Sequence, residues 1–155
     1  MDKIISFTVN HSALKKGLYV SRKDHFTGKT LTTFDMRFTL PNRESVMPTD
    51  AIHTIEHLGA TFWRNDVFKD ETVYFGPMGC RTGFYLVLAN DYVPSDIYEE
   101  TVKMLNFIIG YEGEIPGAKE DECGNYSDHN LPLAKEYCKK YLKALTEEKN
   151  FEYPA

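Results

Sequence analysis

Residues 32–40 read TTFDMRFTL, and the alternation of their side chains decides the architecture. Phe34, Met36, Phe38 and Leu40 occupy one set of positions, and Asp35, Arg37 and Thr39 the other. Successive side chains of a strand point to opposite faces. The pattern therefore predicts a strand with one face in an apolar core and the other turned to solvent or to a site. Pro41-Asn42 ends it. Upstream, residues 7–31 read as further short strands separated by turns.

Downstream the period changes. Pro48-Thr49-Asp50 opens a helix with Thr49 or Asp50 as its cap, and Ile52, Ile55, Leu58 or Gly59, and Phe62 mark the apolar face. TVYF at 72–75 and FYLVLA at 84–89 are strands flanking the glycine-rich turn GPMGCRTG. VPSD at 93–96 starts a second helix through Ile97, Thr101, Leu105 and Ile108, stopping near Gly110. A segment rich in Gly, Pro, Asp and Glu then runs to Asn130 and carries Cys123-Gly124. It is too long for a simple connection, which points to a function. A last amphipathic helix covers Pro132 to Glu148. Strands early and helices late predict an α+β fold, a mainly antiparallel sheet packed against helices, in one domain over residues 1–155.

Composition narrows the partners. The chain has 155 residues, 42% hydrophobic and 26% charged, which suits a packed globular core. A net charge of −5 without any Lys/Arg-rich run removes the electrostatic footprint that nucleic acid needs. No apolar stretch reaches membrane-spanning length. The opening MDKIISFTVN lacks the parts of a secretory signal, and three widely spaced cysteines do not make a disulfide framework. The expected setting is cytoplasmic, with thiols free for ligation or catalysis.

Within the first helix lies HTIEH at 53–57. Residues four apart share a helix face, so His53 and His57 aim at one point and Glu56 neighbours both. Such a pair holds a metal, or else is two polar residues on a solvated face. A third ligand would decide it, since a catalytic metal keeps three protein ligands and an open position. Cys138 sits inside the final helix and reads as a small buried residue. Cys80 and Cys123 both lie in turns next to glycines, and spacing does not choose between them. His129 competes as a ligand, and as a fourth one it would make the metal structural in a non-catalytic module. The HxxEH order also fits a small metallopeptidase with Glu56 as general base. Arg37 reads as a surface partner of Asp35 or of a cross-strand carboxylate, or, on a site-facing strand, as a holder of a hydroxyl or a carboxylate. His25 reads as an ordinary surface residue, and Gly79 and Gly83 as hairpin glycines.

SFTVNH near the start, FDMRF in the strand, HTIEHL, PMGCRTGFYL and the later CG pair together resemble the S-ribosylhomocysteine lyase (LuxS) family, in its order and over nearly the whole chain. The resemblance implies His53, His57 and Cys123 as metal ligands, and Cys80 and Glu56 as the catalytic acid–base groups. It implies Ser6, His11 and Arg37 at the border of the substrate. It further implies a homodimer with sites at the subunit interface, and a divalent metal: Fe2+, with Zn2+ or Co2+ able to take the same position. The implied reaction splits S-ribosylhomocysteine into homocysteine and the precursor of autoinducer-2, serving the methyl cycle and quorum sensing. One departure stands out. Many relatives read Asp-Ile-Ser before PMGC, where this chain has Tyr74-Phe75-Gly76.

Overall fold

The computed structural model describes residues Met1–Ala155. Its centre is the strand expected from TTFDMRFTL. β1 (Gly17–Phe26) and β2 (Lys29–Arg37) form a hairpin, α1 spans Thr49–Trp63, and β3 (Thr72–Pro77) and β4 (Gly83–Leu88) form a second hairpin. The chain ends in α2 (Pro94–Ile109) and α3 (Leu131–Glu148). The sheet order is β1-β2-β4-β3 with every pairing antiparallel, so β2 is interior and β1 and β3 are the edges. This is the α+β arrangement the sequence predicted.

One face of the sheet supplies the core. Phe34, Met36 and Phe38 pack with Phe84, Leu86 and Leu88, and against them lie Ile52, Ile55 and Leu58 of α1 and Met104, Leu105 and Ile108 of α2. From α3, Tyr141 stacks on Phe38 with ring centroids 4.1 Å apart and donates its hydroxyl to the Gly17 carbonyl at 2.8 Å. Cys138 is fully buried beside it, and burial pushes its thiol far above the ordinary range. It is the inert packing residue the sequence indicated.

Three expectations need correction. The second face of β2 does not meet solvent: Asp35 is 1% and Arg37 3% exposed. Asp35 lies opposite Tyr19 and Tyr85, and Arg37 opposite Gly17 and Gly83. The C-terminal tail closes this face. Tyr153 stacks on Tyr19 at 4.8 Å and donates its hydroxyl to Asp35 Oδ2 at 2.8 Å. The Asp35–Arg37 pair is thus buried and not a weak surface contact. Second, the regular strand stops at Arg37, short of Leu40, because the N–H groups of Phe38 and Thr39 both donate to the Thr82 carbonyl. Third, Pro48 is the cap position of α1, and Thr49 and Asp50 stand inside the helix. Asp50 Oδ2 accepts from Asn130 Nδ2 at 3.1 Å, and Asn130 Oδ1 caps α3 through Leu133 N–H at 3.1 Å. These contacts stitch the start of α1 to the start of α3.

α1 must approach β3 closely, and Gly59 allows it. A Cβ at that position would lie 2.2 Å from the Phe75 ring. Alanine is intrinsically the better helix former by about 1 kcal/mol, but here it must push the ring or the helix away. We expect Gly59→Ala to lower stability by roughly 1–2 kcal/mol in urea unfolding, the overpacking penalty outweighing propensity. A more stable variant would contradict this packing.

Candidate functional site

The helix period brings His53 and His57 together on α1, with ring centroids 4.4 Å apart. Each ring is fixed from behind by a backbone carbonyl. His53 Nδ1–H donates to Asp128 O at 2.9 Å, and His57 Nδ1–H to Pro116 O at 2.7 Å. A carbonyl can only accept, so these contacts hold the ring proton on Nδ1 and leave a lone pair on Nε2 of each residue. Both carbonyls belong to the segment between α2 and α3, which has no helix or strand of its own. That segment also brings in Cys123, whose Sγ lies 3.4 Å from His53 Nε2 and 3.9 Å from His57 Nε2. The three ligand atoms all fall within 4.8 Å of one another.

Two imidazoles in the ligating tautomer facing one thiol form a donor set that fits a single divalent metal. His129 stands outside this group. It stacks on the face of His53 at 4.1 Å and places its Nδ1 3.0 Å from Thr54 Oγ1. Burial and the two neighbouring imidazoles hold its pKa below the ordinary histidine value. The set therefore has three members, the number associated with catalytic metals.

Glu56 precedes His57 and makes no hydrogen bond with its side chain. With His57, Phe75, Pro116 and Gly117 it lines an open cleft of about 360 Å³. A carboxylate beside a metal donor set can move protons.

Cys80 occupies the β3–β4 turn and is exposed. Met78 N–H donates to Gly83 O, and Arg81 N–H to Met78 O. Arg81 takes a left-handed φ of 60° to close the turn, a conformation that is uncommon for a residue with a side chain. The guanidinium beside the sulfur is that of Arg37, not that of Arg81, the next residue along the chain. Arg37 Nη1 lies 4.0 Å from Cys80 Sγ and donates to Thr82 Oγ1 at 2.7 Å, and Cys80 Sγ is 3.1 Å from that same hydroxyl. Behind them Arg37 grips Asp35 in two bonds, Nε to Oδ1 at 3.1 Å and Nη2 to Oδ2 at 2.5 Å. Burial raises the Asp35 carboxyl above its usual range, while the guanidinium opposes that rise.

Ser6 lies in a short 3-10 turn, Ile5–Phe7. His11 is half-buried, its Nδ1 2.8 Å from Val9 O. No hydrogen bond or ion pair joins these residues, or Cys80, to the His53–His57–Cys123 group within one chain. Sequence reasoning missed Thr82, Tyr153 and the two backbone carbonyls. The signal for Thr82 was present, two residues after Cys80 in the turn. A carbonyl carries no side-chain signature at all.

Gly117 decides how closely the loop can approach His57. It has φ +74°, and a Cβ there would lie 3.1 Å from His57 Nδ1. We expect Gly117→Ala to disturb the Pro116 carbonyl and weaken metal affinity about ten-fold or more, as outer-shell changes typically do. Competitive chelator titration measures this, and unchanged affinity would show that the carbonyl does not orient His57.

The sequence model of the S-ribosylhomocysteinase (LuxS) family matches residues 4–152. The S-ribosylhomocysteine lyase of Finegoldia magna is 54% identical over 156 residues, covering 99% of both chains. That of Clostridium acetobutylicum is 54% identical over 157 residues with the same coverage. That of Borreliella burgdorferi is 48% identical over 157 residues, covering 99% of this chain and 100% of its own. The fold, the three-donor group and this full-length likeness agree, and the chain belongs to the S-ribosylhomocysteinase (LuxS) family.

Proposed function

We propose that the chain is an S-ribosylhomocysteine lyase, splitting S-ribosyl-L-homocysteine into L-homocysteine and 4,5-dihydroxy-2,3-pentanedione. The observation that carries this reading is the convergence of His53, His57 and Cys123 in a chain matched end to end by lyases of that name. The reaction takes up no water and involves no net redox change. A C–S bond beside ordinary sugar carbons is hard to break, so the carbonyl first migrates along the ribose by paired proton transfers. Once it stands next to the carbon adjoining the sulfur-bearing one, that carbon can lose a proton. The electron pair then forms a C=C bond, homocysteine leaves as its thiolate, and the enol left behind relaxes to the diketone.

His53, His57 and Cys123 would hold one divalent metal per subunit, whose Lewis acidity stabilises charge on the sugar oxygens. We assign ferrous iron, with zinc or cobalt accepted by the same donors. Cys80 takes protons from and returns them to the sugar carbons. A free thiol is mostly protonated at neutral pH, and a cation nearby favours the thiolate base. Arg37 at 4.0 Å is that cation. Glu56, unbonded in its cleft, moves protons among the sugar oxygens. Ser6, His11 and Arg37 border the substrate.

The separation of these groups within one chain supports a homodimer with two sites at its interface. So does the exposed apolar surface of Ile4, Ile5 and Phe7 around Ser6, which a second copy would cover. No helix is long and apolar enough to cross a membrane. We place the enzyme in the cytoplasm, in methyl-cycle salvage, with its second product feeding autoinducer-2 formation.

A peptidase built on HxxEH would give Cys80 no task, so the cysteine separates the readings. Cys80→Ala and Glu56→Gln should each retain metal and fold while thiol release from the ribosyl thioether falls by about 10²-fold or more. Titration of released homocysteine is the readout. Wild-type turnover in Cys80→Ala would remove the cysteine from the mechanism, and peptide cleavage without thiol release would favour the peptidase.

A further inference from the structure

Thr82 has no role in the account so far, yet its hydroxyl lies between the two groups that set the chemistry of the cysteine. It is 4% exposed, 2.7 Å from Arg37 Nη1 and 3.1 Å from Cys80 Sγ. The direction of these bonds follows from donor and acceptor types. A guanidinium can only donate, so Thr82 Oγ1 accepts from Arg37 and its own hydrogen is left for the sulfur. The guanidinium contributes less than its charge suggests, because Asp35 neutralises it through two bonds and it lies 4.0 Å from the sulfur. The hydroxyl is the closer and better-directed partner.

We propose that Thr82 is the positioning residue of the active cysteine, donating its hydroxyl hydrogen to the Cys80 sulfur while Arg37 fixes the oxygen. A base that takes and returns protons must be held in both of its states. With sulfur as thiolate, Thr82 donates to it. With sulfur as thiol, the second lone pair of Oγ1 accepts the S–H, and the Arg37 bond need not change. The sulfur thus keeps its place through a cycle of proton transfers. The carbonyl of the same residue accepts from Phe38 and Thr39 N–H at 3.0 Å each, which ties the cysteine turn to the end of β2. Asp35 and, beyond it, Tyr153 of the C-terminal tail hold Arg37 from the far side.

The inference rests on the assignment of Cys80 above, so its test has a readout that needs no turnover. Iodoacetamide alkylation of Cys80 is followed by mass spectrometry in the metal-loaded enzyme, where Cys138 is buried and Cys123 is held by the metal. Thr82→Val keeps the branched shape and removes the hydroxyl. Its alkylation rate at pH 7 should fall about ten-fold or more, the scale of a hydrogen bond to a charged group, and the pH profile should move upward. kcat should fall by a similar factor with KM within about two-fold, since the contact is to the base and not to the sugar. Thr82→Ser keeps the hydroxyl and should remain within about two-fold of wild type in both readouts. If Thr82→Val does not fold, Thr82→Ala, which leaves room for water beside Arg37, carries the same expectation. Wild-type alkylation in the hydroxyl-free variants, or loss in Thr82→Ser equal to that in Thr82→Val, overturns the proposal. Retained thiol release in Cys80→Ala would instead overturn the assignment of the cysteine itself.

Discussion

Two backbone carbonyls, Pro116 O and Asp128 O, govern the rest of the site by taking the Nδ1 protons of His57 and His53. Without them each imidazole could carry its proton on either nitrogen and rotate about its side-chain bonds. With them, both Nε2 lone pairs face the Cys123 sulfur, and the three donor atoms converge on one point. This explains why a long connection without regular structure lies between α2 and α3. It supplies the thiol and both orienting carbonyls, and the contacts of Asn130 with Asp50 and Thr54 pin its end to α1. Its shape is held by what it does for the two histidines.

A second constraint holds the cysteine. The interior strand β2 carries a charged pair on the face away from the main core. A buried pair of this kind adds little net stability, but losing one partner strands the other at a penalty of about 3–5 kcal/mol. The fold surrounds the pair with partners: glycines opposite Arg37, Tyr153 on Asp35, and Thr82 on the guanidinium. Rigidity here serves the exposed turn above it. Cys80 is reachable from solvent, yet its sulfur is tied to a buried hydroxyl. The proton transfers proposed for it need both properties.

Much of this was legible in the sequence because it depends on period. The alternation in TTFDMRFTL located the core strand, and the four-residue spacing of His53 and His57 placed them on one helix face. Cys80 lies in the turn the sequence indicated and Cys123 in the irregular segment between α2 and α3, but spacing could not choose between them. The structure brings Cys123 to the histidines and leaves Cys80 with Arg37 and Thr82. What stayed hidden has a physical reason. The burial of Asp35 and Arg37 comes from a C-terminal tail whose docking on the sheet no local pattern announces. Arg37 reaches the sulfur because the pairing of β2 with β4 brings it there from a distant part of the chain. The end of β2 at Arg37 reflects two N–H groups competing for one carbonyl, which no propensity records.

The central claim is that His53, His57 and Cys123 ligate one metal through two Nε2 atoms and a sulfur and leave a position open. X-ray absorption at the zinc edge of protein loaded with one equivalent of zinc tests it most directly. The account predicts one sulfur scatterer at about 2.3 Å and imidazole nitrogens at about 2.0–2.1 Å, completed by a light atom from solvent. The sulfur shell should disappear in Cys123→Ser and persist in Cys80→Ala. A first shell without sulfur, a sulfur shell that survives Cys123→Ser, or a fourth ligand from the protein would contradict it.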